Sequence, residues 1–99
     1  MTAQELMDYR PAVAQDTYGQ WFVLLPTTYG HYRAEAKSER HAKRIRTGWR
    51  NGVMDFFHGV PVRPFNNMQS AEQSAYGAAQ GLAEQSNTQK EVTHVNEDG

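Results

Sequence analysis

Cysteine is absent from the 99 residues, which excludes disulfides and every cysteine-based zinc site. Nothing in the chain approaches the roughly 20 apolar residues of a membrane-spanning helix; the longest strongly apolar run is Trp21 to Leu25. Met1 to Arg10 lacks both the basic and the apolar regions of a secretory signal. These absences lead us to expect a soluble, cytoplasmic protein without a membrane partner. Apolar residues are also scarce. At 38% of the chain they fall short of a typical globular composition, so the core is expected to be modest.

The scarcity is uneven. Both tryptophans and all four phenylalanines lie between Trp21 and Phe65, whereas 66–99 holds one aromatic, Tyr76. This divides the chain into a compact α+β domain over 1–65, an Ala/Gln-rich helix over 66–85, and a disordered acidic tail over 86–99. Charge is uneven too. The net charge is −1, yet 33–50 holds seven Lys/Arg against Glu35 and Glu39, while the rest holds three bases and nine acids. Such separation bears on surfaces and partners rather than on fold.

The basic segment reads as one amphipathic helix over 38–51. Ser38 is a good N-cap, Glu39 occupies the first turn, and Asn51-Gly52 has the composition of a C-terminal stop. At about 100° per residue, Ala42, Ile45 and Trp49 form an apolar stripe that Val53 continues. Arg40, Lys43, Arg44 and Arg50 fall opposite, and His41 and Arg46 flank the stripe.

Around this helix, Thr2-Ala3-Gln4-Glu5 is a capping box that opens a short helix ended by Pro11. Ala12 to Gly19 reads as a connection. Gln20 to Leu25, apolar on both faces, is the clearest strand and belongs at a sheet centre. Pro26 to Gly30 is a turn, and His31 to Lys37 alternates as a half-buried strand. Val53 to Phe57 is a third strand candidate. The expected fold is a three-stranded β-β-α-β unit of order 2-1-3, with the basic helix on one face and short helices beside it. Ser70-Ala71-Glu72-Gln73 starts a second capping box, and a helix from about Ala71 to Glu84 is expected to cover the second face. Trp21, Val23, Leu25, Ile45, Trp49 and Phe56 are the expected core.

Catalytic and cofactor patterns are lacking. His31, His41, His58 and His94 show no paired metal-ligand spacing, and no metal or cofactor is expected. Asp55 and His58 are close in sequence, but no nucleophile accompanies them in a recognisable pattern. Gly48 and Gly52 do not form a phosphate loop. Gly59 to Phe65 reads either as an extended edge for a partner strand or as a loop closing the domain.

The expectation is therefore a non-enzymatic binding protein. Its partner-binding residues are Arg33, Lys37, Arg40, Lys43, Arg44, Arg46 and Arg50, contacting DNA or RNA, with Tyr29 and Tyr32 available to stack on bases, whereas Trp49, also nearby, is directed to the core. The alternative is a protein-binding module or inhibitor whose basic helix docks on an acidic patch of a larger host enzyme. The size suits an accessory protein of a phage or plasmid. A homodimer is compatible with either reading; the third reading of the basic helix is an ordinary solvated face.

Overall fold

The computed structural model of the chain describes residues 1–64 and 68–98, with side chains through 87. It is an α+β fold in which three helices accompany a three-stranded sheet. Helix α1 (Ala3–Asp8) starts at the expected box, where Thr2 Oγ1 accepts from the Glu5 N–H at 3.2 Å. Leu6 is its buried anchor. The strands β1 (Ala12–Gln15), β2 (Trp21–Thr27) and β3 (Gly30–Ala36) form an antiparallel meander of order β1-β2-β3. Asp16 Oδ1 accepts from the Tyr18 and Gln20 N–H groups and closes the first turn. The second turn is the two-residue loop Thr28-Tyr29, entered and left through the Thr27↔Gly30 pair, with Gly30 at φ 107°.

The central place of the Trp21–Leu25 strand agrees with its two apolar faces. The expected β-β-α-β connection and 2-1-3 order do not hold. The third strand is Ala12–Gln15, within the segment read as a connection, paired from Ala12↔Leu24 to Gln15↔Trp21. Its alanines carry little strand propensity, so pairing to β2 decides its conformation. Val53–Phe57 is helical, because α2 (Glu39–Phe57) runs through Asn51-Gly52 without stopping. The apolar stripe explains this: Ala42, Ile45, Trp49 and Val53 are all buried, and one more turn keeps the stripe on the sheet.

Val23, Leu25, Ala34 and Ala36 line the sheet face beneath that stripe and join it in a single core with Leu6, Ala75 and Ala79. Of the expected core, Val23, Leu25, Ile45 and Trp49 are fully enclosed, whereas Trp21 and Phe56 are half-buried. Trp49 donates from Nε1 to the Pro26 carbonyl at 3.0 Å and packs on the Tyr9 ring at 5.5 Å between centroids.

Helix α3 (Ser70–Asp98) lies beside α2 on the same side of the sheet, not on the second face as expected. Complementary shape is the cause. A methyl added at Gly48 would lie 2.7 Å from Glu72 Cγ, and one added at Gly52 would lie 2.5 Å from the Tyr76 carbonyl oxygen. The two glycines thus form a track, one turn apart, on which α3 rests. Because 48 faces 72 and 52 faces 76 and 79, the two helices run in the same direction. Among the described residues no helix covers the second sheet face, which carries Phe22, Leu24, His31, Arg33 and Glu35. α3 also runs beyond Gln85, where the expected helical segment ends, and extends to Asp98. Phe65 and the two asparagines after it lie outside the described residues.

The return from α2 to α3 is pinned by a polar cluster. Asp55, buried, receives Arg63 Nε at 2.6 Å and Nη2 at 3.1 Å, and the Tyr76 hydroxyl at 2.7 Å. The Arg63 N–H in turn donates to the Tyr76 hydroxyl oxygen at 3.2 Å. Arg63 beside Asp55 holds its carboxyl below the usual range despite burial, while burial pushes the Tyr76 hydroxyl up.

Candidate functional site

The entry to α2 is held by two side chains acting on each other's turn. Ser38 Oγ accepts from the His41 N–H at 3.1 Å, and His41 Nδ1 accepts from the Lys37 N–H at 2.9 Å. This fixes where the helix begins and therefore the phase of every base that follows. With the apolar stripe on the sheet and the glycine track on α3, the outer face is left to Arg40, Lys43, Arg44 and Thr47, all exposed. Arg46 and Arg50 are half-buried at its margin, and Arg50 Nε is enclosed without a hydrogen-bond partner. Lys37 stands exposed just before the helix.

Acids temper this face. Lys43 Nζ pairs with Glu39 at 2.9 Å, one turn away, and Arg44 Nε pairs with Glu72 of α3 at 2.7 Å. Among the described residues, Lys37, Arg40, Arg46 and Arg50 have no carboxylate within ion-pair distance. Lys37, Arg40, His41 and Arg44, with Ser38 and Gln69, line a shallow depression of about 370 Å³ where both α2 and α3 begin.

Arg33, expected in the same surface, is elsewhere. It lies on the open sheet face, 4.0 Å above the Phe22 ring, and reaches Asp16 and Glu35, both at 2.7 Å. Asp16 chiefly raises the Arg33 pKa, and Arg33 chiefly lowers that of Asp16. Strand alternation places Arg33 opposite the helix layer. The seven bases therefore divide into six on or beside α2 and one across the sheet.

The aromatic side chains do not flank the basic face. Trp49 is 0% exposed. Tyr29, 99% exposed, and Tyr32, 58% exposed, line a groove against Gly77, Ala78 and Gly81 of α3. Asp55 is committed to Arg63 and Tyr76, and His58 caps the C-terminus of α2. Among the described residues no three His, Asp or Glu side chains gather as a metal site, and no helix is long and apolar enough to cross a membrane.

Sequence reasoning missed the Asp55–Arg63–Tyr76 cluster. Its members are 8 and 21 positions apart and share no periodicity, so only the packing of α3 on α2 brings them together. The glycine track did carry a signal, two glycines one helical turn apart inside a basic helix. The chain matches no family model, no curated protein and no solved structure.

Proposed function

We propose that the chain is a non-enzymatic binding protein in which the entry of α2, its outer face at Arg40 and the half-buried margin at Arg46 and Arg50 contact the phosphate backbone of a nucleic acid. The supporting observation is that Lys37, Arg40, Arg46 and Arg50, which no acid neutralises among the described residues, are spread over about 20 Å of one helix and its entry. Bases spread over that length suit a linear polyanion better than a small anion, because each contact releases a counterion and the gains accumulate. Arg44 and Lys43 contribute less, since binding through them competes with Glu72 and Glu39.

Four phosphate contacts on duplex DNA give a log–log salt slope of about −3 to −4. Fluorescence anisotropy with mixed-sequence duplex and single-stranded probes, taken across a salt series, measures it. The variant Lys37→Glu/Arg40→Glu should weaken binding and reduce the slope by about 2 while its circular dichroism spectrum stays that of the wild type. A wild-type slope near zero refutes phosphate contact. Retention of a protein partner after nuclease treatment, lost in the same variant, would instead assign this face to an acidic protein surface.

A further inference from the structure

The outer edge of β3 carries a pattern that neither the helices nor the basic face use. Pro26 pairs with His31 and has no N–H, so that pair is of the non-hydrogen-bonded kind. Alternation makes Leu25↔Tyr32, Val23↔Ala34 and Trp21↔Ala36 the hydrogen-bonded pairs. The N–H and C=O groups of His31, Arg33 and Glu35 consequently point away from β2, and no backbone bond outside the sheet engages them among the described residues.

The two edges of the sheet differ in how they are guarded. β1 has four residues, follows Pro11 and ends in the turn closed by Asp16. β3 has seven, with an unbroken register and no proline or bulge. Proteins ordinarily blunt an edge of this length with such devices, since a row of free donors and acceptors templates another strand. On the open face the only charges along it are Arg33 and Glu35, of opposite sign and two positions apart. On the helix side the edge borders a groove floored by small residues of α3, and a methyl added at Gly77 would touch nothing within 4 Å.

We propose that β3 pairs antiparallel with β3 of a second copy of this chain, making one continuous six-stranded sheet. Charge selects the register. Two-fold pairing centred on Arg33 would set Arg33 against Arg33, which is unfavourable. Centred on Ala34, it sets Arg33 against Glu35 of the second copy and Glu35 against Arg33, and it joins the outward-facing backbone groups of both residues. On the helix side the same register sets Tyr32 against Ala36 of the second copy and Ala34 against Ala34, a large side chain beside small ones. The alternation of Arg33 and Glu35 is complementary to itself, which argues for a second copy over a foreign strand.

Sedimentation of the full-length chain over a concentration series tests this, together with amide hydrogen exchange at the same concentrations. A monomer–dimer equilibrium is expected, in which the amides of Arg33 and Glu35 gain protection as concentration rises. Arg33→Glu, which sets two glutamates opposite each other at both ends of the pairing, should raise the dissociation constant roughly tenfold or more. The exchanged pair Arg33→Glu/Glu35→Arg should restore it to within a few-fold of the wild type. A chain that stays monomeric at every concentration overturns the proposal, as does a dimer whose concentration-dependent protection falls outside β3. The wild-type exchange measurement decides the matter even if Arg33→Glu unfolds through loss of its Asp16 contact.

Discussion

Replacing Gly52 by alanine sets two effects of opposite sign against each other. In a helix interior alanine is favoured over glycine by about 1 kcal/mol. At position 52, however, the new methyl would lie 2.5 Å from the Tyr76 carbonyl oxygen and 2.9 Å from Ala79 Cβ. Neither atom can rotate away, so the backbone of α3 itself must move outward. That movement also draws the Tyr76 hydroxyl from Asp55, which it now meets at 2.7 Å. Overpacking of this kind costs about 1–3 kcal/mol, occasionally more, and here it exceeds the propensity gain. Gly77→Ala supplies the control: it has the same propensity gain in α3 and no neighbour within 4 Å. Urea unfolding followed by the fluorescence of the buried Trp49 should show Gly52→Ala less stable than wild type, by up to about 2 kcal/mol, and Gly77→Ala more stable by up to about 1. In thermal melts the first should fall, by up to roughly 15 °C. If Gly52→Ala is as stable as the wild type, or if both variants move the same way, α3 does not rest on the glycine track.

Asp55→Asn should destabilise the chain and flatten its acid response. The Asp55 carboxyl is held low by Arg63, so its contribution is present above about pH 4 and is lost as pH falls through the folded-state value. The variant's unfolding free energy should therefore fall less than the wild type's between pH 5 and pH 2, and an unchanged slope would show that the Arg63 contact does not favour the ionised form. Trp49→Ala should cost about 3–5 kcal/mol by removing the largest enclosed side chain and leaving the Pro26 carbonyl without its donor, enough to unfold a marginal domain. A folded Trp49→Ala variant with native-like thermal stability would contradict the core as described.

Legibility from the sequence followed periodicity. The stripe Ala42, Ile45, Trp49 and Val53 repeats at helical spacing, and the helix is there; the apolar Trp21–Leu25 run belongs at a sheet centre, and it is there. Where the reading failed, local composition competed with tertiary contacts. Asn51-Gly52 has the chemistry of a helix stop, but Gly52 serves as a seat for α3, so α2 continues and the expected last strand disappears into it. Ala12–Gln15 is too weak a strand former to announce itself and is recruited by β2. Of the site, the outer position of Arg40, Lys43 and Arg44 was legible from helical phase. The displacement of Arg33 to the opposite sheet face and the neutralisation of Arg44 by Glu72 were not, because both depend on where separate elements come to lie.

The shared direction of α2 and α3 has an electrostatic consequence. Antiparallel neighbours cancel each other's peptide dipoles, whereas these two add, each with about half a positive charge at its start. Both starts lie at the end of the molecule that carries Lys37, Arg40 and Gln69. Along α3, the backbone positions 91, 97 and 98, all acidic in sequence, follow about 30–40 Å downstream of Ser70 at 1.5 Å per residue, so the helix carries them away from the basic end. The two helix starts therefore form one positive pole, at the end where Lys37 and Arg40 stand. For the polyanion partner proposed above, that pole would exert a torque turning the N-terminal ends of both helices toward it before any contact forms, raising the fraction of encounters that arrive correctly oriented.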